Sequence, residues 1–119
     1  MTAVEVCKLV DVPVPGALAV VVQGTAVAII RDSAGHVHAI NDVCSHADVA
    51  LSEGEVEDCT VECWLHGSRF DLRTGEPSGP PAVTAIPVYD VMVVGDGDDA
   101  VVLVDITVNA ARKPAVEGA

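Results

Sequence analysis

"CSHADVALSEGEVEDCTVECWLHGSRFDLRTG", residues Cys44–Gly75, holds three of the chain's four cysteines and two of its four histidines. A Cys-x-His pair, Cys44 and His46, is followed after sixteen residues by a Cys-x-x-His pair, Cys63 and His66. Thiolates and imidazoles in that order point to ligands for an inorganic centre. Cys₂His₂ is a common tetrahedral zinc set, but zinc fingers pair Cys with Cys and His with His. Here each box supplies one of each. That interleaving suits two metal ions, each box reaching both, better than one. A single zinc ion is the competing reading.

Outside the boxes the chain reads as strands. Its 119 residues fit one domain, and 24 valines against three aromatic residues favour pleated strands over helices. Strands are expected over Val4–Val10, Leu18–Val22, Ala26–Arg31, His36–Ile40, Glu55–Glu57, Thr60–Cys63, Thr84–Val94 and Ala100–Thr107. Hairpins are expected about Gln23-Gly24 and Gly95-Asp96-Gly97. No helical period or internal repeat stands out. The expected architecture is all-β, an antiparallel sandwich or barrel of short strands. It spans residues 1–107 as one domain, and two loops within about 42–81 carry the boxes. Residues 108–119 have little to bury and read as a flexible tail. Each ligand pair therefore sits on a loop fixed by strands.

The formal charge is −12, from 18 acidic and 6 basic residues. Such a surface repels nucleic acid and anionic lipid and would steer the protein toward a basic partner. No apolar run approaches the roughly 20 residues that span a bilayer, and no basic n-region opens the chain, so a cytoplasmic, reduced-thiol setting is expected.

The pattern Cys44-Ser45-His46 with Cys63-Trp64-Leu65-His66-Gly67 resembles the Rieske 2Fe-2S signature. "HGSRFDLRTGEP" and the proline-rich loop Glu76–Pro81, with three prolines in six residues, extend the likeness to the small Rieske ferredoxins of ring-hydroxylating oxygenases. The resemblance implies a Rieske fold and one 2Fe-2S cluster, with Cys44 and Cys63 on the inner iron and His46 and His66 on the outer. It implies a carrier that is not itself an enzyme. Electrons would come from a flavin-dependent ferredoxin reductase and pass to a terminal oxygenase through transient contacts, with the carrier a monomer. A small subunit of a larger reductase, such as nitrite reductase, and an iron–sulfur assembly accessory are the alternatives.

Two departures separate the chain from the Rieske proteins of cytochrome complexes. Their inter-loop disulfide would fall at Val49 and Leu65. Of the two hydroxyls that bond their cluster, Ser68 retains the first, but Phe70 replaces the tyrosine, which implies a lower potential. Trp64, where many oxygenase ferredoxins have proline, and Pro81 complete the residues expected around the cluster. Cys7 and Cys59 read as small buried hydrophobes, and His36 and His38 as ordinary sheet surface.

Overall fold

The computed structural model describes residues 3–43, 50–63, 69–77 and 85–109, with the backbone alone for Asp98, Val108 and Asn109. Among the described residues there are nine strands, most of them on the valine-rich runs: β1 Val4–Lys8, β2 Gly16–Val22, β3 Thr25–Arg31, β4 Val37–Asn41, β5 Val56–Glu57, β6 Thr60–Glu62, β7 Arg69–Asp71, β8 Val88–Val94 and β9 Val101–Asn109. Six make one antiparallel sheet, in the order β1-β9-β8-β4-β3-β2, and β5-β6-β7 make a second sheet of three. The edge strands β1 and β2 approach each other, so the large sheet curls into a nearly closed barrel. This is the expected all-β architecture.

Strand β3 explains how the two sheets share one body. Val27, Ala28, Ile29 and Ile30 are all fully buried. Side chains alternate faces along a strand. Val27 and Ile29 accordingly enter the barrel interior with Val22, Ala39, Tyr89, Val102 and Val104. Ala28 and Ile30 face the small sheet, packing with Ile40, Leu51, Val61, Cys63, Phe70 and Leu72. A strand buried on both faces reads as an unbroken apolar run, which is why "AVAII" lacks polar alternation.

The hairpin about Gln23-Gly24 closes as expected, with both residues at positive φ, 51° and 84°, and Val22 paired with Thr25. Such turns match the right-handed twist of the flanking strands. The first strand is shorter than expected, since Leu9–Asp11 is a single 3-10 turn. The eighth begins at Val88, just after Pro87, whose carbonyl accepts the Asn41 amide at 3.0 Å. Strand β9 runs to Asn109 and pairs with both β1 and β8.

Candidate metal centre

The first box begins immediately after β4, where three neighbouring residues fix the chain. Asn41 accepts the Val43 amide on its side-chain oxygen at 3.0 Å and donates to the Tyr89 hydroxyl at 3.0 Å. Val43 and Ala50 pair across an antiparallel bridge, drawing together the two ends of segment 44–49. Asp42, 5 % exposed, accepts from Ser52 twice and takes the Leu51 amide on its carbonyl at 2.7 Å. Asp42 and Ser52 did not stand out in the sequence; the only signal was a polar Asn-Asp step directly ahead of Cys44.

The second box lies in the β6–β7 hairpin. Glu62 pairs with Arg69, which pins the ends of segment 64–68. The Arg69 guanidinium reinforces the pairing, reaching Glu57 at 2.9 Å, Glu62 at 3.6 Å and the Thr60 hydroxyl at 3.2 Å. Strand β7 went unpredicted because its three residues follow the box directly and are too short for a readable period. Cys63 is the first residue after β6. It is a free thiol with no exposed surface, set among Leu51, Val61, Phe70 and Leu72.

Segment 78–84 is held at both ends as well. Phe70 bridges Pro77, Glu76 takes the Asp71 amide on its carbonyl, and Gly75 takes the Ile86 amide at 2.9 Å. Gly75 has φ +78°, and a β-carbon there would collide with the Ile86 carbonyl oxygen. Asp71 shapes this turn by accepting the Arg73 amide at 2.7 Å and the Thr74 amide at 3.3 Å. Burial pushes the Asp71 carboxyl up, but the Arg73 and Thr74 amides and the Arg73 side chain outweigh it and leave it below its ordinary value.

Of the expected site residues, Cys63 and Phe70 are therefore placed together in one buried core. Cys44, His46, Trp64, His66, Ser68 and Pro81 lie outside the described residues. Cys63 fits a cluster that draws a thiolate into its apolar inner side: it is unpaired, wholly buried and at the end of a paired strand. Every described cysteine is free.

Two sequence expectations need correction. His38 is not an ordinary surface residue. Its side chain is 13 % exposed, and its Nε2 lies 2.9 Å from Asp32 Oδ2 and 3.6 Å from Cys59 Sγ. Cys59 does pack against the core, but it is also one of three polar groups that converge. Burial raises its thiol, Arg73 opposes that rise, and Asp32 adds to it. Asp32, 4 % exposed, is pushed up by burial, yet the hydrogen bonds from His38 and from the His36 and Ala34 amides hold it down at about 2. Nothing in the sequence ties residues 32, 38 and 59 to one another.

Comparison with known proteins agrees with this frame. The Rieske [2Fe-2S] domain family matches residues 2–90. The ferredoxin component of biphenyl 2,3-dioxygenase from Rhodococcus jostii (strain RHA1) is 39 % identical over 106 residues, 89 % of this chain and 94 % of that one. The ferredoxin of carbazole 1,9a-dioxygenase from Nocardioides aromaticivorans IC177 superposes with a TM-score of 0.73 at 38 % identity, over 86 % of this chain and 97 % of that one. A structure of a complex of reduced oxygenase and oxidised ferredoxin in carbazole 1,9a-dioxygenase matches with a TM-score of 0.75 at 27 % identity, over 87 % of this chain and 93 % of the matched one. The chain therefore belongs to the Rieske [2Fe-2S] domain family, whose domain carries a Rieske-type 2Fe-2S cluster.

Proposed function

We propose that this chain is a one-electron carrier in an oxygenase system. It would hold its cluster on Cys44 and Cys63 at the inner iron and on His46 and His66 at the outer. The single observation that best supports this reading is Cys63: a free thiol with no exposed surface, at the end of β6 and inside the second ligand box. The cluster, when bound, supplies reversible storage of one electron. Two neutral imidazoles in place of two thiolates leave both its redox states less negative, which raises the potential above that of four-cysteine ferredoxins.

The chain's own residues do the rest. The Val43–Ala50 bridge and the β6–β7 pairing hold the flanks of both ligand boxes, so little backbone need move as charge changes. The apolar wall of Leu51, Val61, Phe70 and Leu72 excludes water from the Cys63 side. An acidic surface carrying a formal −12 suits brief docking to basic faces of a flavin-dependent reductase and a terminal oxygenase. Brief contact requires a small interface. The carrier is read as a cytoplasmic monomer that binds neither nucleic acid nor membrane. Among the described residues no helix is long and apolar enough to cross a membrane. Residues 1–107 are proposed as one domain, which β9 extends to Asn109, two residues past the boundary expected from the sequence.

The test is spectroscopic and kinetic. Purified protein should carry two irons and two acid-labile sulfides and give a rhombic signal after dithionite reduction. His46→Ala and His66→Ala should each abolish that signal. A flavoprotein reductase should reduce the cluster rapidly, and mixing with an oxygenase should reoxidise it. Colourless, sulfide-free protein, or a reduced cluster that no oxygenase reoxidises, would rule the reading out.

A further inference from the structure

Beyond the cluster, one set of donor atoms has no part in the carrier reading. Asp32 follows β3, His38 lies in β4, and Cys59 occupies the turn between β5 and β6. Their carboxylate, imidazole and thiol donors all lie within 4.8 Å of one another. They line an open depression of about 500 Å³, together with Ser33, His36 and Arg73. Cys59 and Cys63 flank β6 at opposite ends. At about 3.3 Å per residue this places them roughly 13 Å apart along the strand, so this group and the cluster are separate centres.

The geometry is specific. His38 Nε2 faces both Asp32 Oδ2, at 2.9 Å, and Cys59 Sγ, at 3.6 Å. A relay for nucleophilic catalysis would use the two ring nitrogens separately, one for the thiol and one for the carboxylate. Here both partners converge on one nitrogen. A single proton on that nitrogen serves one partner well, whereas a cation at the centre would serve all three lone pairs. Tetrahedral zinc, with bonds of about 2.3 Å to sulfur and about 2.0–2.1 Å to nitrogen and oxygen, sets S···N near 3.6 Å and N···O near 3.4 Å. The first separation is already present. The second needs Asp32 and His38 to part by about 0.5 Å from 2.9 Å, a side-chain adjustment.

The surroundings are compatible. Asp32 Oδ1 is fixed by the Ala34 and His36 amides, at 2.9 and 3.0 Å, which leaves Oδ2 as the inward donor. His36, with its side chain 79 % exposed, brings Nδ1 to 3.7 Å from the same oxygen and can swing in as a fourth ligand or yield to water. At the rim, Asp71 neutralises the Arg73 guanidinium at 3.4 Å.

We propose that Asp32, His38 and Cys59 form a second, mononuclear site for a borderline-soft divalent cation of the zinc class. Entry of the ion displaces the Cys59 thiol proton to solvent and forms one metal–sulfur, one metal–nitrogen and one metal–oxygen bond. The site lies on the seam between the sheets. There Ser33 takes the Asp58 amide on its hydroxyl at 2.9 Å and gives its own amide to the Asp58 carbonyl at 3.1 Å. A bound ion would staple the β3–β4 turn to the β5–β6 turn, and so the small sheet to the barrel.

The experiment equilibrates cluster-loaded protein with Zn²⁺, removes free metal, and counts zinc and iron together. The result expected is one zinc beyond two retained irons, with the reduced-cluster spectrum unchanged. The zinc edge spectrum should show one sulfur scatterer near 2.3 Å. In Cys59→Ser, Cys59→Ala and His38→Gln proteins that keep their cluster spectrum, zinc affinity should fall by more than the 10–100-fold typical of losing an outer partner. No retained zinc, zinc gained only as iron is lost, two or more sulfurs at the zinc, or equal affinity in the variants would each overturn the site. The spectrum on unmutated protein decides the matter even if every variant fails to fold.

Discussion

Ser52 donates to the Asp42 carboxylate twice, from its amide at 2.6 Å and from its hydroxyl at 2.8 Å. The pair straddles segment 44–49 from the outside, Asp42 one residue before Val43 and Ser52 two residues after Ala50 of the bridge. Removing the hydroxyl in Ser52→Ala forfeits one bond to a charged group, on the order of 1.5–3 kcal/mol. Asp42→Ala leaves both part-buried Ser52 donors without their charged acceptor and should cost more. Both variants should therefore bleach faster on heating than the parent, Asp42→Ala the faster of the two. Visible absorbance followed at fixed temperature beside far-UV circular dichroism measures this. Bleaching rates equal to the parent's in both would show that the tie does not hold the first ligand box.

The two boxes were legible because ligand chemistry is written in residue type and spacing. The strands were legible where alternation or an unbroken apolar run marked them, as in β3. Other features depend on contacts between distant segments. The Asp32–His38–Cys59 group joins three turns or strands that carry no mutual signal, and His38 on its own looks like any polar residue on a sheet. Strand β7 owes its existence to pairing with β6, Val61 opposite Phe70, and three residues are too few to announce that. Pro87 shortened β8 in a place where the Val-rich pattern invited a longer strand.

Gly75 and Gly24 both sit at positive φ, +78° and +84°, but in different surroundings. At Gly24 nothing lies within 4 Å of where a β-carbon would be. Gly24→Ala should thus cost only the conformational penalty, about 1–2 kcal/mol. At Gly75 the β-carbon meets the Ile86 backbone, which cannot yield without breaking the Ile86–Gly75 hydrogen bond. Gly75→Ala should therefore be clearly the worse of the two, by about 2 kcal/mol or more. It should also reduce cluster occupancy, because the flank of segment 78–84 shifts. Denaturant midpoints and iron content of the two variants provide the comparison, and equal losses would contradict it.

The Asp71 carboxyl lies below its ordinary value of 3.8 in the folded protein. A depressed folded value means that the carboxylate form stabilises the fold at any pH above about 4. That contribution is lost as pH falls from about 4 through the folded value, where the proton returns and the bonds from the Arg73 and Thr74 amides weaken. Asp71→Asn keeps the shape but not the charge, and should cost roughly 1 kcal/mol at pH 7. The difference between parent and variant should be flat from pH 7 down to about 5 and narrow below about 4. Urea midpoints taken across that range measure it. A difference that widens toward acid pH would mean that Asp71 is better satisfied when protonated.

Phe70 has no exposed surface and shares the buried core with Cys63, a proposed ligand of the inner iron. In Phe70→Tyr the added hydroxyl enters that core, where an unsatisfied donor costs about 1–3 kcal/mol. A thiolate sulfur on the cluster is the acceptor that would relieve the cost. A hydrogen bond to that sulfur stabilises the more negative, reduced state, so the midpoint potential should rise while stability changes little. Phe70→Leu supplies no donor and should leave the potential near the parent's, at a packing cost on the order of 1 kcal/mol. Spectroelectrochemical titration of the three proteins, with a thermal melt of each, separates the outcomes. A rise in Phe70→Tyr alone places the hydroxyl on the sulfur. An unchanged potential together with a loss of stability means that the hydroxyl is buried without reaching the cluster, and the proposed pairing of position 70 with the ligand sulfur would be wrong.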